Sequence, residues 1–277
     1  MLNDWVKAIG EYFDGAASNY DRLMEPAFGP LAHQLVDFSE LQAGDFVLDL
    51  GTGTGLAAQA AVKQGAVTVG LDIARSMLQA AQQRGLSHIV QADFHHLPFA
   101  PSTFSTVLAS FALNSSDPQI LLEEVWRVLH PHGWLVIQEW EAADELSEVF
   151  NDIFAEYTIE NPSPPLAKLR ESLEKPIPWD DLESIEDLVE IIKYTGFSEI
   201  DLHIVSPTIS MTIDKFINYK LAWPLRVAEL MAMSDEVRAL CLSDLNENLA
   251  AYSDRGGRVE WQPNLVRIRA AKATRLK

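Results

Sequence analysis

Val47-Leu48-Asp49-Leu50-Gly51-Thr52-Gly53-Thr54-Gly55 decides how this chain folds. Phe46 to Leu50 is a near-continuous apolar run, the pattern of a strand buried on both faces of a parallel sheet. The glycines allow a tight turn and let a ligand approach the backbone with no Cβ in its way. Gly44-Asp45 makes the turn before the run, and an alanine-rich helix closed by Gly65 follows it. Strand, glycine turn and helix in that order form the first unit of a doubly wound fold, whose ligands sit outside the carboxyl ends of the strands.

The same rhythm extends along the chain. Val67–Asp72 reads as a second strand, followed by a helix from about Ser76 to Gly85. Ile89–Asp93 and Thr106–Ser110 read as the third and fourth strands. Asp117 caps the next helix and Pro118 suits its first position, with Leu121, Leu122, Val125, Trp126 and Leu129 as its buried face. Trp134–Glu139 is the fifth strand. This alternation predicts an α/β fold, a doubly wound, mostly parallel seven-stranded sheet with helical cap insertions.

The expected division follows. Residues 1–40 form an N-terminal helical lid, with apolar positions at Trp5, Ile9, Tyr12 and Phe13, and 41–140 form the α/β core. Residues 141–182 are an acidic helical cap insertion around Asn161-Pro162-Ser163-Pro164-Pro165. Residues 183–206 return to the core, with Ser184 capping a helix that closes at Gly196 and a sixth strand over Phe197–Val205. Residues 207–257 are a second helical insertion, helical from about Thr212 to Tyr252 with a new start at Ser234. Residues 258–277 hold the last core strand, Val259–Ala270, and a tail.

Composition narrows the function. The chain has 277 residues, 48 % of them apolar, enough for a sizeable core. No apolar run approaches the roughly 18 residues of a membrane span. The start, Met1-Leu2-Asn3-Asp4-Trp5, lacks the pattern of a secretory signal, so the reading is cytoplasmic. A net charge of −19 repels phosphate backbones and opposes a nucleic-acid partner. Only Arg267 to Lys277 is locally basic. The single cysteine, Cys241, excludes an internal disulfide and shares a helical face with Val237, Leu240, Leu245 and Leu249. His95-His96 and His130-x-His132 lie in turns without the carboxylate or cysteine spacing of a metal site, so no metal is expected. Nothing in the sequence speaks to oligomeric state.

Three strand ends carry the chemistry. Gly51, Gly53 and Gly55 give G-x-G-x-G, whereas a dinucleotide fingerprint needs G-x-G-x-x-G and would place its third glycine at Leu56. Asp49 would repel a pyrophosphate but suits a cofactor bearing an ammonium and a sulfonium, which favours S-adenosyl-L-methionine over NAD. Asp72 ends the second strand, where a carboxylate accepts from a ribose diol. Asp93-Phe94 ends the third, with an acceptor for an adenine amino group beside an apolar face. Each aspartate alone also reads as a helix cap or a solvated turn; together they mark a site.

The chain resembles the class I S-adenosylmethionine-dependent methyltransferases, in particular the type 11 small-molecule group related to ubiquinone and menaquinone biosynthesis enzymes. The matching stretches are VLDLGTGTG at 47–55, VGLDIARSML at 69–78, QADFHHLPF at 91–99, FSTVLASFALN at 104–114 and EEVWRVLHPHGWLVI at 123–137. The resemblance implies ribose binding at Asp72, adenine binding at Asp93-Phe94, and Ser110 beside the methionine moiety. Tyr20, with Asp21, looks like the family's tyrosine that closes over the cofactor. Thr52, Ile73 and Met77 lie within the matching stretches and are assigned to cofactor contact with them. Two positions depart: Asn114 stands where the family often has histidine, and Pro131-His132-Gly133 replaces a Pro-Gly-Gly turn.

Tyr20, Asn114 and Glu139 are the polar residues expected to face a methyl acceptor. Glu139 reads as a base or substrate anchor, and equally as a helix cap or solvated strand end. Trp140, Trp179, Trp223 and Trp261 are expected mainly to pack the core, and 141–180 with 212–252 to build the acceptor pocket. The acceptor expected is a small, largely apolar metabolite. The same motifs also fit an enzyme that uses this cofactor for decarboxylation or cyclisation, or a catalytically silent partner subunit.

Overall fold

The structure, a computed structural model, describes residues 4–14 and 17–273. The helices are α1 (Asp4–Asp14), α2 (Ala17–Ser39), α3 (Leu56–Lys63), α4 (Arg75–Gln83), α5 (Pro118–Val128), α6 (Glu145–Glu156), α7 (Pro164–Leu173), α8 (Ile185–Thr195), α9 (Ile213–Leu221), α10 (Pro224–Ala232) and α11 (Asp235–Ala250). The strands are β1 (Phe46–Leu50), β2 (Val67–Asp72), β3 (His88–Gln91), β4 (Phe104–Ser110), β5 (Leu129–Ala142), β6 (Phe197–Val205), β7 (Ile209–Thr212), β8 (Arg258–Trp261) and β9 (Asn264–Lys272). The side chains of Trp5 and Ile9 lie outside the described residues.

Seven strands form one sheet in the order β3-β2-β1-β4-β5-β9-β6. β1 to β5 pair in parallel, and β9 runs antiparallel between β5 and β6. The mostly parallel sheet and its flanking helices match the architecture expected from the strand-helix alternation. The first two strands lie where their apolar runs end. β5 is longer than expected because it begins at Leu129, directly after α5.

The C-terminal half departs from expectation. Val259–Ala270 is not a single core strand. Gln262 and Pro263 interrupt it, since proline has no N–H to give a ladder. The first half, β8, pairs antiparallel with the unforeseen β7 in a separate two-stranded sheet. The stretch 212–252, read as helical, is three helices broken at Trp223-Pro224 and Ser234.

Two large clusters fill the interior. One packs the sheet against α5 and α8 through Leu48, Val107, Leu122, Leu135 and Ile192. The other binds α2 to the insertions through Met24, Phe150, Phe216, Tyr219, Cys241 and Trp261. Cys241, Leu245 and Leu249 recur every fourth residue and are fully buried. Val237 and Leu240 are not on that buried face; they are 39 % and 56 % exposed. Among the described residues, no helix is long and apolar enough to cross a membrane.

Candidate cofactor and acceptor site

The β1–α3 turn is held in a shape that glycine adopts freely. Gly51, Gly53 and Gly55 take φ of +61°, +52° and +84°. A Cβ on Gly51 would lie 2.9 Å from the Ala112 Cβ. A Cβ on Gly55 would lie 3.1 Å from the Ala81 Cβ. Gly55 therefore permits the close approach of α4 and does not line the cavity, contrary to the cofactor contact expected of it.

The aspartates tie this turn to the sheet. Asp49 Oδ2 accepts from Thr52 Oγ1 at 2.6 Å and from the Ala58 N–H at 3.0 Å. Asp72 accepts from the Gly53 N–H and the Ala74 N–H, each at 2.8 Å. Burial pushes the Asp49 carboxyl up to about 7 and that of Asp72 up to about 6. Burial also works against charging Asp93, but hydrogen bonds from His95 hold its carboxyl below the usual range.

These groups open onto one cavity of about 1240 Å³, counting its mouth. Of the residues singled out in the sequence, Tyr20, Asp49, Gly51, Thr52, Gly53, Asp72, Ile73, Met77, Asp93, Phe94, Ser110 and Asn114 line it. Gly55 and Glu139 do not. Among the described residues, no lysine or arginine lines the cavity, so a pyrophosphate would meet carboxylates without a compensating cation. The residues present fit a cofactor with cationic groups: bare glycine backbone, three carboxylates at successive strand ends, and Phe94 beside the third. Among the described residues, no group of three metal-ligating side chains is assembled.

Glu139 is corrected in place: it lies within β5, short of the strand's end at Ala142, and does not line the cavity. It is fully buried, and burial raises its carboxyl to about 8. Its Oε1 accepts from the Leu113 N–H at 2.8 Å and its Oε2 from Asn114 Nδ2 at 3.0 Å. Asn114 Oδ1 in turn accepts from Ser115 Oγ at 3.1 Å. Glu139 thus anchors the turn after β4, while Asn114 and Ser115 face the cavity.

Much of the rest of the lining is aromatic or apolar. Tyr20, Met24, Phe28 and Ala32 recur every fourth residue of α2 and all line the cavity. Phe28 contacts Phe111, Trp140, Tyr219 and Trp223 edge-on, with centroids 4.9–6.5 Å apart. Phe111 leaves β4 with φ +56°, a left-handed conformation uncommon for an aromatic residue. Trp223 lines the cavity at the α9–α10 corner, so core packing is not its whole role. The spacing on α2 carried a signal for Met24 and Phe28. Phe111 and Trp223 depend on a backbone twist and a helix break, which local patterning does not reveal.

Comparison with known proteins gives the family. Residues 48–137 match the methyltransferase domain family. The demethylmenaquinone methyltransferase of Corynebacterium kroppenstedtii is 34 % identical over 166 residues, covering 57 % of this chain and 69 % of that one. The ubiquinone/menaquinone biosynthesis C-methyltransferase UbiE of Haemophilus ducreyi is 33 % identical over 161 residues, 52 % of this chain and 62 % of that one. In fold, the phosphoethanolamine N-methyltransferase 2 of Haemonchus contortus is similar, with a TM-score of 0.61 at 18 % identity over 99 % of this chain and 61 % of that one. The chain belongs to the class I S-adenosylmethionine-dependent methyltransferases, in the group related to UbiE. S-adenosylmethionine is its cofactor.

Proposed function

We propose that the protein transfers the methyl group to a small, largely apolar acceptor seated against the aromatic lining of the cavity. The observation that carries this is the make-up of one cavity, which brings the carboxylates of Asp49, Asp72 and Asp93 together with the rings of Tyr20, Phe28, Phe111 and Trp223. The relatives named for demethylmenaquinone support a flat ring as the acceptor's core. The charge of −19 and a lining without lysine or arginine among the described residues argue against a polymer with a phosphate backbone. The single cysteine, a buried free thiol, suits a reducing cytoplasm.

When bound, S-adenosylmethionine supplies a methyl group already activated on a sulfonium. Asp72 would hold the ribose hydroxyls, Asp93 and Phe94 the adenine, and Asp49 with Gly51, Thr52 and Gly53 the amino-acid end near Ser110. Ile73 and Met77 would pack against the cofactor. Tyr20 closes the cavity from α2; burial raises its hydroxyl, so it stays a neutral donor. Asn114 offers the acceptor an amide whose orientation Glu139 and Ser115 hold. The chain's work is therefore positioning and exclusion of water rather than proton removal by Glu139.

The division into lid, core and two insertions belongs to the same proposal, with 258–261 moved from the core to the second insertion. Isothermal titration tests the cofactor: S-adenosylmethionine is expected to bind and NAD to give no heat. A screen of metabolite extracts for a mass gain of one methylene tests the acceptor. Labelling of a polymer and of no small molecule would overturn it.

A further inference from the structure

His95 is almost fully buried, 5 % exposed, and sits against Asp93 of the cavity lining without lining the cavity itself. Its Nδ1 lies 2.7 Å from Asp93 Oδ1, and its backbone N–H donates to the same oxygen at 2.9 Å. The other ring nitrogen, Nε2, accepts from the Asp117 backbone N–H at 2.9 Å. A backbone N–H can only donate, so Nε2 must be the unprotonated nitrogen. The ring proton then sits on Nδ1 and points at Asp93.

Asp117 is itself fixed. Its carboxylate accepts from the Gln119 and Ile120 N–H groups, each at 3.1 Å, and so caps α5. A continuous chain of hydrogen bonds runs from the start of α5 through His95 to a carboxylate in the cavity wall. It occupies Asp93 Oδ1 twice. The exposed His96 lies 3.6 Å from Asp93 Oδ2, a long contact that also favours the charged carboxylate and leaves that oxygen able to accept further.

We infer that His95 is a positioning residue for the cofactor: it engages one oxygen of Asp93 and thereby presents the other, as a pure acceptor, to an exocyclic amino group on the bound base. The inference rests on the proposed cofactor site. It adds that the site selects a 6-amino purine over a 6-oxo purine, because the 6-oxo group would set an oxygen against a carboxylate oxygen.

The test is titration of S-adenosylhomocysteine and of its deaminated counterpart, with a 6-oxo group, into the unsubstituted chain and two variants. In His95→Asn the introduced amide has an N–H near the place of Nδ1 and can still donate to Asp93. In His95→Gln the amide reaches the place of Nε2 and can meet only Asp117. The unsubstituted chain and H95N are expected to bind S-adenosylhomocysteine within about twofold of each other. H95Q is expected to bind it about tenfold more weakly and to lose most of the preference over the 6-oxo form, the range for one hydrogen bond to a charged group.

The opposite order, rescue by Gln and not by Asn, would assign His95 to capping α5 and overturn the inference. Equal binding by all three would do the same. Should a variant fail to fold, the imidazole nitrogen shifts of the unsubstituted chain decide: the proton is expected on Nδ1, and a proton on Nε2 sinks the proposal. Failure of the unsubstituted chain to bind either ligand, with the Nδ1 proton in place, would instead overturn the cofactor reading beneath it.

Discussion

Asp49 and Asp72 each raise the cost of charging the site, and burial is the main reason. The sign of the pH effect follows. Asp49 is expected to titrate near 7 in the folded chain against an ordinary 3.8. Its contribution to stability is therefore greatest below pH 3.8 and is lost as pH rises through about 7. A cationic ligand has the opposite preference, since it binds the ionised carboxylates. Affinity for S-adenosylmethionine should be full above about pH 7 and fall as pH drops through the values of Asp49 and then Asp72. Titration across that window checks it, and Asp49→Asn should weaken binding and flatten the profile. Glu139 makes a different prediction. Glu139→Ala leaves the Leu113 N–H and Asn114 Nδ2 without their acceptor, at about 2–3 kcal/mol of stability read from denaturant melts. A variant of full stability with abolished turnover would instead return Glu139 to the role of base. Its place in the fifth strand was legible in the sequence, though β5 runs on past it to Ala142. The direction in which its side chain is buried was not, because that depends on the turn folded over it.

At the scale of elements, α2 is both core helix and cavity wall. Its buried face joins Met24, Ala27 and Leu31 to the insertions, while Tyr20, Phe28 and Ala32 look onto the site. Phe28→Ala is expected to lower kcat/KM for the acceptor about tenfold or more, the scale of one lost aromatic contact, and to leave cofactor affinity within about twofold. Parallel loss of cofactor binding would show that Phe28 supports the fold rather than the acceptor. β1, β2, β4 and α5 were readable because each is defined by its own apolar run, glycine turn or cap. β7 and β8 were not. Each is four residues long, and each has meaning only through a partner far along the chain, as Ile209 opposite Trp261 shows. The α9–α10 break at Trp223-Pro224 was hidden inside a continuous helical pattern, and with it went the inward turn of Trp223.

Across the whole molecule, charge and continuity matter most. A net −19 on one chain is self-repulsive, so added salt should raise the melting temperature by screening it. Melting that is indifferent to salt would mean the charges are already compensated in pairs. The path from β8 to β9 has a mechanical consequence. Trp261 and Leu265, both fully buried, anchor the chain on either side of Pro263, one in the two-stranded sheet of β7 and β8 and one in the central sheet. The short link between two such anchors leaves no slack for a swinging joint. The two-stranded sheet is thereby tied closely to the central one, whereas α1 is held through contacts with the helices α4 and α7. Amide exchange should be faster in α1 than in the two-stranded sheet of β7 and β8, and the reverse order would show that the short link does not hold that sheet in place.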